Sequence, residues 1–316
     1  MTTTFLNSTF KTGQYKRKLQ VQRSRPSSSN PNQYIADPGS STTAAPLTDV
    51  QAQVLGHTPT VTPGTYISNN TTSGITFLVF NRVNNVNGVT LNVGPSNGSG
   101  STRDFGDSIY IETGDHSTDP RTSPLSFVNS NIITGGTISP VDDNDLVVFG
   151  SDQSKDGQTY TFSVNGFSRT INGLQAPGSR QSPLNLQGSS VTTGNGNDTL
   201  IFANTVATSQ IGGSGSGQGN TFSLGAQNDL VYFASSNQIR AQNVIDLGIG
   251  DDTVVFNGTA ANGSQVLSGL TGSGSSVLNI KGFNDAGDRI FFNGATYTSA
   301  QKASLTSDSG NKIIFT

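Results

Sequence analysis

The 316-residue sequence contains no cysteine and no tryptophan, and it has only one methionine and two histidines. Without cysteine, a disulfide-stapled scaffold is excluded. Charged residues make up 12% of the chain and apolar residues 32%, and no run approaches the length of a membrane-spanning helix. A membrane protein and a coiled coil are therefore poor matches, and this low apolar content favours a narrow core spread along an elongated body.

Glutamate is almost missing as well, because 19 of the 20 acidic residues are aspartate and Glu112 is the only glutamate. Glutamate favours helices, whereas aspartate hydrogen-bonds to its own backbone and favours turns and caps. This imbalance argues against a helical protein. The 38 glycines point in the same direction, since glycine punctuates turns.

Basic charge is concentrated at the start of the chain, where six basic residues precede the first acidic residue, Asp37. The net charge of −3 thus divides into +6 before Asp37 and −9 after it, from 11 basic and 20 acidic residues. We predict an extended, low-complexity arm over residues 1–62 that anchors the chain to an acidic protein partner. A solvated tail is the alternative, and nucleic-acid binding is disfavoured because aromatic residues barely interleave with the charges. The predicted anchor residues are Lys11, Lys16, Arg17, Lys18, Arg23 and Arg25.

From residue 63 onward, short apolar runs alternate with clusters of Gly, Asn, Ser and Asp, which predicts strands separated by turns. Two helices are expected: one over residues 48–56, capped by Thr48 and ended by Gly56, and one over residues 299–305. The clearest predicted strands are ITFLVF (75–80), VTLNV (89–93), YTFSV (160–164) and VLNI (277–280).

One phrase recurs through the body: an aspartate, one variable residue, then strand formers. It begins at Asp107, Asp145, Asp198, Asp229, Asp252 and Asp288. Four of these aspartates are preceded, seven residues earlier, by an apolar residue: Ile138, Val191, Phe222 or Ile245. Each copy indicates a strand, a tight polar corner and a second strand, as in the coils of a repeat protein with side loops of varying length.

The predicted fold class is therefore all-β, with a β-solenoid body of the parallel β-helix or β-roll kind behind an extended N-terminal arm. Runs such as LVVF, TLIF, LVYF and TVVF are apolar at every position, which is typical of parallel strands. A β-sandwich or jelly roll is the alternative. The expected division is an arm over 1–62, a β-rich domain over 63–189 and a β-roll or solenoid domain over 190–316.

The segments GNGNDTLIF (194–202) and GIGDDTVVF (248–256) resemble the glycine- and aspartate-rich nonapeptide of RTX calcium-binding secreted proteins. The ending SVLNIKGFNDAGDRIFFNG (276–294) is similar to the segment that closes the calcium roll of serralysin-type proteins. The resemblance covers roughly residues 190–316. It implies Ca²⁺ bound by carbonyls and carboxylates, since Ca²⁺ prefers oxygen ligands. The implied ligands are Gly194, Gly196, Gly248, Gly250, Asp198 and Asp252.

The two copies nevertheless depart from that family's pattern, because they are far apart rather than in tandem. The corner after Gly225 has Gln227 where the pattern has glycine, and the Asp145 copy has no glycine at all. A continuous ladder of ions cannot form on such spacing. The alternative is that Asp and Asn build the corners through their own backbone hydrogen bonds and their tolerance of left-handed conformations.

Signals for catalysis are few, so we expect no enzyme activity. Glu112, Asp115, His116 and Asp119 crowd together in one polar segment, and the adjacent Asp142 and Asp143 resemble a glycosidase carboxylate pair. Polar loops between strands collect such residues routinely. A tailspike-type glycan depolymerase is accordingly the third functional reading.

Two other readings rank above it. The first is a structural protein of a bacteriophage virion, either a capsid decoration or cement protein or a tail fibre component, oligomeric and anchored through the arm. No secretory signal peptide is recognisable at the N-terminus, which fits this reading. The second is a calcium-binding cell-surface, S-layer or adhesin-like protein exported by a type I system.

Overall fold

The computed structural model describes the backbone in these parts of the chain: residues 3–6, 24–26, 34–36, 50–55, 60–61, 63–68, 75–80, 85–92, 108–112, 125–135, 145–151, 159–164, 167–172, 183–204, 209–213, 217–233, 238–240, 242–256 and 278–316. Side-chain burial is described in 85–92, 125–135, 145–150, 183–204, 209–213, 217–233, 239–240, 242–256 and 278–316, and at positions 63, 109 and 111.

These residues are mainly β-strand, which confirms the all-β prediction. The strands are, in chain order, β1 (Thr3–Leu6), β2 (Ser24–Pro26), β3 (Tyr34–Ala36), β4 (Val50–Leu55), β5 (Thr60–Val61), β6 (Gly64–Ser68), β7 (Ile75–Phe80), β8 (Asn85–Asn87), β9 (Val89–Asn92), β10 (Ser108–Glu112), β11 (Leu125–Val128), β12 (Asn131–Ile133), β13 (Leu146–Ser151), β14 (Thr159–Val164), β15 (Phe167–Asn172), β16 (Leu184–Gln187), β17 (Ser190–Asn195), β18 (Thr199–Phe202), β19 (Gln210–Ile211), β20 (Thr221–Ala226), β21 (Leu230–Phe233), β22 (Gln238–Ile239), β23 (Asn243–Asp246), β24 (Thr253–Phe256), β25 (Leu278–Lys281), β26 (Arg289–Phe292), β27 (Ala295–Thr298) and β28 (Ile313–Phe315).

Three sheets hold most of these strands. Sheet A has the order β1-β6-β9-β12-β17-β20-β23-β25-β28, sheet B the order β27-β26-β24-β21-β18-β13-β10-β7-β4, and sheet C the order β22-β19-β16-β11-β8-β5. From β5 to β24 the chain repeatedly visits sheet C, then A, then B, interrupted only by the antiparallel hairpin β14–β15. Within the three sheets, neighbouring strands are parallel except β26 and β27.

The repeat predicted from the aspartate phrase is present as strand register. Val191, Phe222 and Ile245 lie side by side on sheet A, and the residues that follow each aspartate pair across sheet B. The described residues of the runs ITFLVF, VTLNV, YTFSV and VLNI lie in β7, β9, β14 and β25, which confirms a strand in each of the four runs.

The helix expected over residues 48–56 was wrong. Val50–Leu55 is strand β4, which pairs in parallel with β7 from Val50 opposite Ile75 to Leu55 opposite Phe80. Apolar residues alternate with glutamines in this segment, which is the periodicity of a strand, and the available sheet edge outweighs the weak local capping signals.

The interior between the sheets is filled by aromatic and aliphatic side chains in register. The rings of Phe149, Phe202, Phe233 and Phe256 stack in sequence with centroid distances of 5.6, 4.6 and 5.1 Å and nearly parallel planes. Each of these rings is almost fully buried. Offset stacking adds about 0.5–1.5 kcal/mol per pair beyond the burial of apolar surface. Successive strands of sheet B are thereby held in one register.

The C-terminal segment departs from the parallel pattern. After β26 the chain reverses into β27, forms a 3₁₀ turn (Ser299–Gln301) and helix α1 (Lys302–Asp308), and returns to sheet A as β28. The helix predicted over 299–305 is therefore present and extends to Asp308. Leu305 of the helix is fully buried, and the hydroxyl of Tyr297 donates to Asp308 Oδ2 at 2.6 Å. This segment covers apolar residues at that end of the described strands.

Candidate functional site: two buried polar ladders

A row of buried aspartates runs along the corner that leads into sheet B. The backbone N–H of each of the first four aspartates donates to Oδ1 of the equivalent aspartate one strand further along the sheet, at 2.7–2.9 Å, and the N–H of the last, Asp288, donates to the Asp285 carbonyl. All five residues are at most 2% exposed. We call this row the acidic ladder; its members are Asp145, Asp198, Asp229, Asp252 and Asp288.

The aspartates of the acidic ladder also form hydrogen bonds through their backbone carbonyl oxygens. The carbonyl oxygen of Asp198 accepts from the Leu230 N–H, and that of Asp229 accepts from the Thr253 N–H, both at 2.8 Å. Each of the first four ladder aspartates is therefore linked to the neighbouring strand segment by two hydrogen bonds, at the point where a strand of sheet B begins. A buried backbone N–H without a partner costs about 1–3 kcal/mol, so each Oδ1 has a structural role.

Glycines bring the backbones of successive corners into direct contact. A Cβ on Gly225 would lie 1.6 Å from the carbonyl oxygen of Gly194, and one on Gly248 would lie 1.7 Å from that of Gly225. The φ angles of the three residues are +103°, +108° and +87°, which side chains disfavour. Space and backbone conformation both require glycine at Gly225 and Gly248, and backbone conformation favours it at Gly194.

Burial raises the pKa of two acidic ladder residues, Asp252 and Asp288. Removal from water raises the pKa of Asp252 from 3.8 to about 7, against the lowering effect of the hydrogen bond from the Asp229 N–H, with a further increase from the charges of Asp288, Asp285 and Asp251. The pKa of Asp288 is raised as well, mainly by burial. Oδ2 of Asp252 is buried and forms no hydrogen bond among the described residues.

A second row of polar residues occupies the corner between sheet C and sheet A. The Ser189 N–H donates to Asn220 Oδ1, and the Asn220 N–H donates to Asn243 Oδ1, both at 3.0 Å. The Ser130 N–H donates to the Ser189 hydroxyl at 3.2 Å in the same direction along the sheet. All are at most 4% exposed. We call this row the amide ladder; its members are Ser130, Ser189, Asn220 and Asn243.

Unlike carboxylates, the side chains of the amide ladder also donate. Asn220 Nδ2 donates to the Leu186 carbonyl at 2.9 Å, and Asn243 Nδ2 donates to the carbonyls of Ile211 and Arg240 at 3.0 and 2.7 Å. Both backbone N–H and C=O groups at this corner therefore find partners in one side chain. This satisfies the requirement that buried polar groups be hydrogen-bonded.

The amide ladder was missed at the sequence level, although a signal for it exists. Ser189, Asn220 and Asn243 each lie nine residues before an aspartate of the acidic ladder and two residues before the apolar residue of the repeat. The period of the aspartate phrase could therefore have been extended by one more polar position. Isolated Ser and Asn residues are so frequent in this chain that the spacing was not evident without the strand register.

The six residues predicted to bind Ca²⁺ lie on two corners of the same row. Asp198 and Asp252 are both in the acidic ladder but are separated by Asp229, and Oδ1 of each already accepts a backbone N–H. Gly250 donates its N–H to Asp285 Oδ2. Within the described parts of the chain, no three His, Cys, Asp or Glu side chains form a group that could hold a metal ion. The role seen for Gly194, Gly196, Gly248 and the aspartates is structural, and calcium binding stays a prediction.

The other residues singled out in the sequence lie outside the described side chains. This holds for the basic residues Lys11, Lys16, Arg17, Lys18, Arg23 and Arg25, of which only Arg25 has a described backbone, in β2. It also holds for Glu112, Asp115, His116, Asp119, Asp142 and Asp143.

The described chain is thus an all-β structure of parallel sheets, in which rows of buried polar residues connect equivalent corners. Comparisons with protein-family models, with curated proteins and with solved structures gave no match. In the parts of the chain described above, no helix is long and apolar enough to cross a membrane.

Proposed function

We propose that the three sheets enclose one interior as a parallel β-solenoid. Edge-to-face contacts between rings of different sheets support this closure. Phe127 of sheet C contacts Phe149 of sheet B at 5.6 Å, and Phe202 of sheet B contacts Phe222 of sheet A at 5.2 Å. Buried residues of all three sheets belong to one apolar cluster. A solenoid of this kind is stabilised mainly by contacts between neighbouring coils.

The proposed function is that of a non-enzymatic structural protein, in which the solenoid is a rigid projecting element. The single observation that carries this proposal is the pair of polar ladders. They commit the buried titratable and amide side chains of the described coils to hydrogen bonds between coils. Side chains used in this way stabilise a rod and are unavailable to turn over a substrate. The low charge of four described segments supports the same role, since residues 85–92, 125–135, 183–204 and 217–233 contain only Asp198 and Asp229 as charged residues, both buried.

We further propose that the rod belongs to a bacteriophage virion, as a decoration, cement or tail fibre component held by the basic arm. The separation of charge, +6 before Asp37 and −9 after it, supports electrostatic docking of the arm on an acidic partner. The test is incorporation into particles purified from a producing culture. Deletion of residues 1–36 should abolish incorporation, while Gln at Lys281, Lys302 and Lys312 should leave it unchanged. Normal incorporation of the deletion variant would refute the anchor.

A calcium-binding surface or secreted protein is a second candidate. The observation in its favour is the pair of glycine corners, in which Gly194, Gly196, Gly248 and Gly250 all have positive φ next to a ladder aspartate. If this reading holds, Ca²⁺ added to chelated protein should increase the β-type circular dichroism. The double variant Asp198→Asn with Asp252→Asn should lose the response, whereas Asp246→Asn should keep it. An unchanged spectrum on calcium addition would eliminate this candidate without affecting the virion proposal.

A further inference from the structure

Along the middle of five neighbouring strands, sheet B is buried on both faces, unlike the described parts of the other two sheets. Alternate residues of its strands, such as Phe233 and Phe256, point into the apolar cluster. The residues between them are outside that cluster and yet are at most 6% exposed. They lie in register across five neighbouring strands. We call them the outer stripe; its members are Val148, Ile201, Tyr232, Val255 and Phe291.

The outer faces of sheets A and C are different in chemistry. Their outward positions carry residues such as Thr192, Ser223, Asn185 and Gln187, which are partly or fully exposed. The outer stripe contains no such residue, and Tyr232 and Phe291 have further interactions within the chain. Because these burial values are those of a single chain, the material that covers the stripe belongs to the chain itself. Its apolar character indicates an apolar cover.

The hairpin β14–β15 has the right pattern to provide that cover. Its two strands pair only with each other and interrupt the chain between β13 of sheet B and β16 of sheet C. In register, Tyr160 lies opposite Ile171, Phe162 opposite Arg169 and Val164 opposite Phe167. The intervening positions hold only Thr, Ser and Asn. Since alternate residues of a strand share a face, one face of the hairpin is mostly apolar and the other is uncharged and polar.

The dimensions also agree. Six residues per strand give the hairpin a length of about 20 Å, and five neighbouring strands give the outer stripe an extent of about 19 Å. The seven residues between Ser151 and Thr159 can span up to about 25 Å, which exceeds the separation of about 10 Å between packed sheets. A two-stranded hairpin is marginally stable alone, so it needs a surface to pack on.

We propose that the hairpin β14–β15 docks its apolar face on the outer stripe and forms a second, local layer over sheet B. This layer divides the surface of the body into one covered sheet and two polar ones. The proposal rests on sheet B and on the hairpin register, and it does not depend on the proposed function. The competing occupant is the segment 257–277, which contains Val266, Leu267 and Leu270.

The lack of cysteine allows a direct test with single thiols. Val255→Cys places a reporter in the outer stripe, and Val254→Cys places one in the interior; both positions are 0% exposed. Each reporter is combined with Phe162→Asp on the apolar face of the hairpin, with Thr161→Asp on its polar face, or with Leu267→Asp. The rate of reaction with a thiol reagent reports local opening.

Phe162→Asp should accelerate labelling at position 255 by at least about tenfold and leave position 254 unchanged, and Thr161→Asp should affect neither. Replacement of residues 152–182 by a short Gly-Ser linker should give the same selective acceleration. Two results would overturn the proposal: unchanged labelling at position 255 in the Phe162→Asp protein and in the linker variant, or selective acceleration by Leu267→Asp alone. Labelling that accelerates equally at positions 254 and 255, in the Phe162→Asp protein and in the linker variant, would also contradict a separate layer over sheet B.

Discussion

The acidic ladder and the amide ladder solve the same problem at two corners with different chemistry. In both, a backbone N–H at one corner donates to a side-chain oxygen at the equivalent corner of the next repeat, with the same direction along the sheet. The amide ladder returns hydrogen bonds to backbone carbonyls, for example from Asn220 to Leu186. An ionised carboxylate can only accept. The comparison shows that hydrogen bonding between equivalent corners does not by itself require aspartate, and that aspartate adds a dependence on protonation.

The largest expected effect comes from the glycines that accompany the acidic ladder. Gly225→Ala would place a methyl group 1.6 Å from the Gly194 carbonyl oxygen at a φ of +108°. Neither backbone can move without breaking the register, so we expect a loss of more than about 4 kcal/mol of stability. The matched control is Gly217→Ala, where φ is +77° but no atom lies within 4 Å. It should lose only about 1 kcal/mol. Urea unfolding of both variants measures these losses. Similar losses of stability would contradict the conclusion that the close approach of the two backbones requires glycine at position 225.

The second prediction concerns pH, to which the acidic ladder should respond and the amide ladder, which has no titratable side chain, should not. The pKa of Asp252 is raised from 3.8 to about 7, so its contribution to stability is present below about pH 4 and is lost as pH rises through 7. The shift of about 3 units sets an upper bound on the order of 4 kcal/mol. The free energy of unfolding should therefore fall between pH 4 and pH 8.

Asp252→Asn isolates this contribution, because it keeps an oxygen for the Asp229 N–H and has no titrating proton. The fall in stability between pH 4 and pH 8 should become shallower, with the remainder attributed to Asp288, whose pKa is also raised. Asp246→Asn, on the partly exposed part of β23, is the matched control and should leave the slope unchanged. A stability that rises over this interval in the parent protein would show that the ladder carboxylates ionise without cost.

The acidic ladder was accessible from sequence and the amide ladder was not, for a physical reason. Aspartate before a strand is a distinctive signal, and the interval from Asp198 to Asp229 to Asp252 could be counted directly. The sequence also predicted parallel stacking, since runs such as LVYF are apolar at every position. It could not show that one parity of those runs faces the interior and the other faces outward beneath a cover. That distinction depends on the hairpin and on long-range register, as does the strand identity of Val50–Leu55.

The third prediction tests the amide ladder itself. Asn220→Ala removes the acceptor for the Ser189 N–H and the donor to the Leu186 carbonyl, both buried. We expect a loss of about 1–3 kcal/mol, mainly from the unsatisfied Ser189 N–H, because the Leu186 carbonyl still accepts from the Gly212 N–H at 2.7 Å. Asn220→Asp keeps the acceptor and removes the amide donor. A protonated carboxyl can donate where an ionised one cannot, so this variant should lose less stability at pH 4 than at pH 8. Thr221→Ala, at an exposed neighbouring position, is the control. If urea unfolding gave equal losses of stability for Asn220→Ala and Thr221→Ala, the amide ladder would not contribute to the stability of the fold.

The smallest effect should come from a carboxylate outside both ladders. Asp308 accepts from the Tyr297 hydroxyl, and this hydrogen bond, together with burial and the charge of Asp308, raises the pKa of Tyr297 to about 12. The bond stabilises the fold up to about pH 10 and is lost as pH rises through 12. Tyr297→Phe should cost only about 1 kcal/mol, because the pair lies at the partly exposed end of the sheets. Absorbance titration should show a late-titrating tyrosine signal that Tyr297→Phe removes. Its persistence would mean that another tyrosine carries the shift. A small effect here beside a large one at Asp252 would show that burial within a stack, rather than hydrogen bonding to a carboxylate as such, makes the acidic ladder sensitive to pH.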